Sequence, residues 1–233
     1  MAKQIPWLRV LLEGVVIITS ILLAFGIDAW WERVTDNRTE ADYLSRLEAD
    51  LRVDVEKWET DGPTLSRKEE ALDRALVWIQ SPDQAPAAVS QLLEDLTLGS
   101  MLAYEGGFAA QSATFDELIS TGGLGLMSPA VRTALLEYHR QVEQWRMILA
   151  ARQTDYAATV YGLIPREVEF DVREGLGHDA KARIAEQILA RDLESQIVAE
   201  RNRGRLRQRS VGELLVQARA VVDLLVAERA RQP

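Results

Sequence analysis

VLLEGVVIITSILLAFGI, residues 10–27, runs directly into DAWWERVTDNRTEADYLSRLEADLRVDVEKWET, residues 28–60, and the join decides how the chain is read. The first stretch is apolar or small except for Glu13. Its eighteen residues, if helical, rise about 27 Å, close to the ~30 Å hydrocarbon core of a bilayer. Trp7 precedes it and Trp30 and Trp31 close it, the placement of interfacial aromatic belts. A cleavable signal peptide shares the basic start, but Gly-Ile-Asp-Ala-Trp-Trp-Glu after Phe25 offers no convincing small-x-small cleavage site. The expectation is an uncleaved transmembrane anchor over 10–31, with a short cytoplasmic segment at 1–9 and an extramembrane helical domain at 32–233.

The second stretch contains neither proline nor glycine. Leu44, Leu47, Leu51 and Trp58 recur at a/d-like spacing with Val55 beside them, while Glu40, Asp50 and Glu56 mark the opposite face. One helix is expected to rise from the anchor and to end at Gly62-Pro63. A stripe of this kind is more often the core face of a bundle than a dimeric coiled coil.

Further along, helices are expected over about 63–80, 87–98 and 112–120, with Gly99, Gly106 and Gly107 marking a looser stretch between the last two. Thr121-Gly122-Gly123-Leu124-Gly125 reads as a helix stop, and Ser128-Pro129 as a capped start for a helix running to about Leu163. Val168, Phe170 and Val172 alternate in the connector 166–177 and suit one short strand. Helix resumes from Asp179 to about Arg229, with a break near Ala190-Arg191-Asp192. The fold class is all-α: an N-terminal transmembrane helix continuing into an extramembrane bundle.

Charge narrows the partners. The formal net charge of -9 argues against nucleic acid, which needs clustered cations. From Arg201 onward there are 8 basic and 3 acidic residues, whereas residues 1–200 hold 19 and 33. A basic end beside an acidic body folds back on it or meets an acidic partner or lipid. Lys3, Arg9 and the terminal amine before the anchor, against Arg33 and Arg38 after it, tilt the positive-inside balance slightly towards a cytoplasmic N-terminus. The expected location is a bacterial inner membrane with a periplasmic main domain.

Groups able to do chemistry are sparse. Cysteine is absent, and with it thiolate metal sites and thiol nucleophiles. His139 and His178 are the only histidines, and no Glu-x-x-His pair occurs. Neither has a companion at ligand spacing, so no catalytic, metal or cofactor site is expected. Gly122-Gly123-Leu124-Gly125 follows a helix rather than a strand, which disfavours a phosphate cradle. Glu13 either meets a partner's cation inside the bilayer or pairs with Arg9 one turn away. Ser20 and Ala24 form a small-xxx-small pair that admits a second helix. Arg201, Arg205 and Arg209 share one side of a helix, with Arg203 and Arg207 roughly opposite. They answer the chain's own acidic helices or dock an acidic protein or anionic lipid.

Two stretches carry a family resemblance. One is Glu13-Gly14 with the apolar run into Ile27-Asp28-Ala29-Trp30, followed by Glu40, Tyr43-Leu44, Leu47 and Asp50-Leu51. The other is Thr114-Phe115-Asp116-Glu117-Leu118-Ile119-Ser120-Thr121-Gly122-Gly123-Leu124, leading into Ser128-Pro129. Together they cover about a third of the chain. In that order they resemble a family of bacterial single-pass, membrane-anchored helical proteins known as a domain of unknown function. The resemblance implies one N-terminal anchor and a helical body, and it assigns no catalytic residues. The expected function is a non-enzymatic interaction or scaffold protein, an accessory subunit that contacts lipid and a protein partner or a further copy of itself. The alternative is a ligand-sensing bundle that signals through another membrane protein.

Overall fold

The computed structural model describes residues 7–81, 89–104, 110, 113–152, 154–163, 178–190 and 193–231. Among these the chain is all-α, with seven helices and no strand. They are α1 (Trp7–Gln80), α2 (Val89–Tyr104), α3 (Ala113–Thr121), α4 (Pro129–Ala150), α5 (Tyr156–Tyr161), α6 (His178–Ala190) and α7 (Leu193–Arg229). The alternating stretch 166–177 lies outside the described residues.

The spine is α1, a single helix of 74 residues. Gly62-Pro63 does not end it: Pro63 sits inside the helix. A proline there removes the N–H due to the Glu59 carbonyl and costs ~3 kcal/mol or more. Two features offset this. Pro63 lies on the exposed face, where water reaches the freed carbonyl. Trp58 and Leu65, on either side, are buried, and each buried large side chain contributes about 1.5–3 kcal/mol. Tertiary burial outweighs the local break.

Helix α7 lies antiparallel to α1 and forms its most extensive contact. Direction follows from the side-chain pairs: Glu48 meets Arg229, Glu59 meets Arg219, Glu69 meets Arg205, Asp73 meets Arg201, and Gln80 meets Glu194. The shorter helices fill two apolar cores along this pair. The core nearer the N-terminal segment joins Tyr43 to Leu65 of α1 with Leu118 of α3, Val131 to Leu149 of α4, and Val211 to Leu225 of α7. The far core joins Leu72 to Leu76 of α1 with α2, α5, α6 and the start of α7.

Local signals explain most remaining boundaries. The Val131 N–H donates to Ser128 Oγ at 3.4 Å, and Pro129 takes the first turn, so α4 begins where a cap and a proline coincide. It stops at Ala150, short of Leu163, and α5 forms separately. Gly122 closes α3 with φ of 75°, a left-handed conformation that glycine adopts without a Cβ penalty. Gly99 lies within α2 rather than in a loop. A Cβ there would meet Leu72 Cδ2 at 2.5 Å and Tyr156 Oη at 2.9 Å, so glycine is what lets α2 approach α1 and α5 so closely. Helix α6 ends at Ala190 and α7 begins at Leu193, and the expected break near Ala190-Arg191-Asp192 falls on 191–192, outside the described residues.

Candidate functional site

Two parts of α1 stand apart from ordinary core packing. The first is its beginning. An 18-residue window there has mean hydropathy 2.0 and none of it is buried, so the helix is long and apolar enough to cross a membrane. Ile17, Ile21, Leu22, Phe25 and Ile27 are all at least half exposed, as are Trp30 and Trp31. Ser20 gives its hydroxyl to the Val16 carbonyl at 2.8 Å, which satisfies it within the helix. Ala24 is exposed on the same segment, and Glu13 is exposed there too and engages in an interaction of its own. The Trp7 and Arg9 side chains lie outside the described residues.

The second part is a charged layer along its seam, with Lys68 between the two cores and Asp54 and Asp61 within the first. Buried or half-buried positions of α1 follow an unbroken alternation of three and four: Leu44, Leu47, Leu51, Asp54, Trp58, Asp61, Leu65, Lys68, Leu72, Ala75 and Ile79. Every other member is Leu, Trp or Ile, whereas the intervening set reads Leu47, Asp54, Asp61, Lys68, Ala75. Helix α7 answers with Leu193, Glu200, Arg207, Leu214 and Val221 at steps of seven. Three consecutive polar residues therefore occupy the seam of α1.

Each has a specific partner. Lys68 Nζ donates to Glu200 Oε1 with both side chains almost wholly buried. Thr154 Oγ1 donates to the other Glu200 oxygen, and Arg203 Nη1 reaches Oε1 at 3.5 Å. Burial pushes the Lys68 ammonium below its usual pKa, and the Glu200 carboxylate opposes that shift. One heptad away, Arg207 Nη2 lies 3.5 Å from Asp61 Oδ2. Asp54 is 1% exposed and accepts from Tyr138 Oη of α4 at 2.8 Å, while Trp58 Nε1 donates to the same hydroxyl at 3.2 Å. Burial beside Asp54 raises the Tyr138 pKa, so the phenol stays protonated and remains a donor.

The arginine-rich segment is the α7 flank of this layer. Arg201 pairs with Asp73 at 2.8 Å and Arg205 with Glu69 at 2.5 Å, while Arg209 pairs within α7 with Glu213 at 2.8 Å. The basic end thus folds back onto the acidic helix. Glu69 lies 38 residues beyond Trp31, about 57 Å along the helix. That distance separates these arginines from any bilayer that holds residues 10–27.

The histidines form no site with each other. His139 stacks on Phe115 with ring centroids 3.6 Å apart and 10° between planes, and it meets Tyr138 edge-on. Burial pushes its pKa down to about 4 despite Asp116 and Asp50 nearby, so it is neutral near pH 7. The His178 side chain lies outside the described residues. Among the described residues, no three of His, Cys, Asp and Glu gather as a metal-ligand set. An open groove of about 470 Å³ runs between 34–41 of α1 and Glu228 of α7 with Arg231 just beyond its end. Another of about 350 Å³ lies between Arg52, Glu56 and Glu59 and Arg219.

The sequence pattern places Arg207 only opposite Arg201, Arg205 and Arg209, and Asp54, Asp61, Lys68 and Glu200 carry no expectation. The signal was present: the spacing through Leu44, Leu47, Leu51 and Trp58, carried past Gly62-Pro63, lands on each of the α1 residues. Compared with known proteins, the chain matches no family model, and no curated protein or solved structure is similar to it.

Proposed function

We propose that this chain is a membrane-anchored, non-enzymatic interaction protein, an accessory subunit that holds a helical body close to a bilayer. The observation that carries the reading is the contrast within α1: eighteen consecutive residues of mean hydropathy 2.0 with none buried, on a helix whose later stripe is covered. Isolated exposed leucines are ordinary, but a continuous apolar cylinder needs a non-aqueous surrounding. Trp30 and Trp31 take the headgroup level, and the buried core begins at Tyr43, roughly three turns beyond. The same ordered motifs support membership of the bacterial anchored family described above, with the N-terminus cytoplasmic and the body periplasmic. Open, charged grooves favour a protein partner over an enclosed small ligand.

Three measurements test this. Carbonate washing should leave the intact chain in the membrane, and recovery of a chain cut after Phe25 would overturn the anchor. A phosphatase fused after Arg231 should be active in whole cells, and an inactive fusion would reverse the orientation. Purification from native membranes in mild detergent should retain a partner, and a bare monomer in every preparation would refute the scaffold.

A further inference from the structure

We propose that the charged layer reserves the stripe of α1 for α7 and bars it from pairing with the same stripe of a second copy. The apolar half of the seam, Leu44, Leu51, Trp58, Leu65 and Leu72, makes no such distinction, because leucine stripes pair readily with themselves. The polar half does. Two copies anchored through one span each enter the bilayer in the same direction, so their α1 helices run parallel. In register, that arrangement sets Asp54 on Asp54, Asp61 on Asp61 and Lys68 on Lys68. Like charges taken out of water without a partner are strongly unfavourable.

Against α7 the same positions find opposites, Lys68 on Glu200 and Asp61 on Arg207. The rims repeat the preference. Where the acid comes from α1, Glu48, Glu59, Asp61, Glu69 and Asp73 each meet an arginine of α7, whereas Lys68 with Glu200 runs the other way. A parallel α1 pair would bring those acidic rims together. Any self-association therefore uses the bilayer segment around Ser20 and Ala24, or the outer faces of the body, and not the leucine stripe. The parallel constraint rests on the single-span reading above.

The chain has no cysteine, so introduced thiols report cleanly. Glu59→Cys with Arg219→Cys, joined by a short bis-thiol linker, reads α1–α7 pairing within one chain. Glu59→Cys alone reads neighbouring α1 helices. In vesicles the otherwise native full-length chain should link internally and give only background between chains. The variant with Asp54 changed to Asn and Lys68, Glu200, Asp61 and Arg207 all changed to Leu should stay helical, lose part of its internal linking and gain an interchain product. Unchanged internal linking without that product overturns the proposal. If this variant fails to fold, Asp61→Leu with Arg207→Leu, two partly exposed groups, carries the same outcomes. Unfolding of both variants also overturns it, because the layer would then hold the fold rather than choose the partner. Flotation with phosphatidylcholine vesicles reads the anchor separately: a chain that does not float removes the membrane reading and the parallel constraint, whatever the linking shows.

Discussion

Leu22 and Leu44 lie on one uninterrupted helix, yet Leu22 is 65% exposed and Leu44 is 0% exposed. Helix propensity is the same for both, so it does not explain the difference. Around Leu22 apolar side chains point in every direction, and among the described residues no helix covers them. Around Leu44 they occupy one stripe, and the stripe is matched by α7. The distribution of apolar residues around the axis, not their number, decides whether a helix needs another solvent or another helix.

Three grades of substitution sharpen that comparison, and a pH titration adds a fourth. The largest effect belongs to the charged layer. Glu200→Ala leaves Lys68 buried without its carboxylate and should cost about 3–5 kcal/mol, seen as a large fall in the melting temperature. A mild effect would mean that Lys68 escapes to water and that the layer is looser than drawn. Next, Leu44→Ala should cost about 2–5 kcal/mol, whereas Leu22→Ala should leave the melting of the body unchanged. Equal effects would erase the distinction between the two lengths of α1.

His139 gives a smaller, pH-dependent contribution. Its folded pKa lies near 4, below the ordinary value of 6.5. Above pH 6.5 it is neutral folded or unfolded, and stability is complete. Between about pH 6.5 and 4 the unfolded chain takes up the proton first, so stability falls as pH falls, by on the order of 3 kcal/mol. A His139→Phe chain should lose that part of the slope in urea titrations, and an unaltered slope would place its origin elsewhere. The smallest effect is expected at the rim. Arg205→Ala removes an ion pair whose arginine is half exposed, and the melting temperature should not move measurably.

Much of the architecture was legible before any coordinates. The cap at Ser128-Pro129 and the left-handed Gly122 are local events, and local residues specify them. Gly62-Pro63 misled because a local break was weighed without the burial of Trp58 and Leu65 that overrides it. Gly99 misled in the same way: its role is close approach to Leu72, 27 residues earlier in the chain. The polar seam was hidden because charged residues at a/d spacing look like errors in a stripe until their partners are known.

The sequence alone determined the helical periods, the apolar cylinder at 10–27, the punctuation of the shorter helices and the contrast between an acidic body and a basic end. Each of these depends on neighbours within a few residues or on composition. Only the tertiary structure decided that α1 passes through Pro63, that α7 runs antiparallel along it, and that Lys68 meets Glu200 and Asp61 meets Arg207. Those outcomes depend on groups more than a hundred residues apart, whose desolvation and charge pairing take effect only once the two helices are side by side.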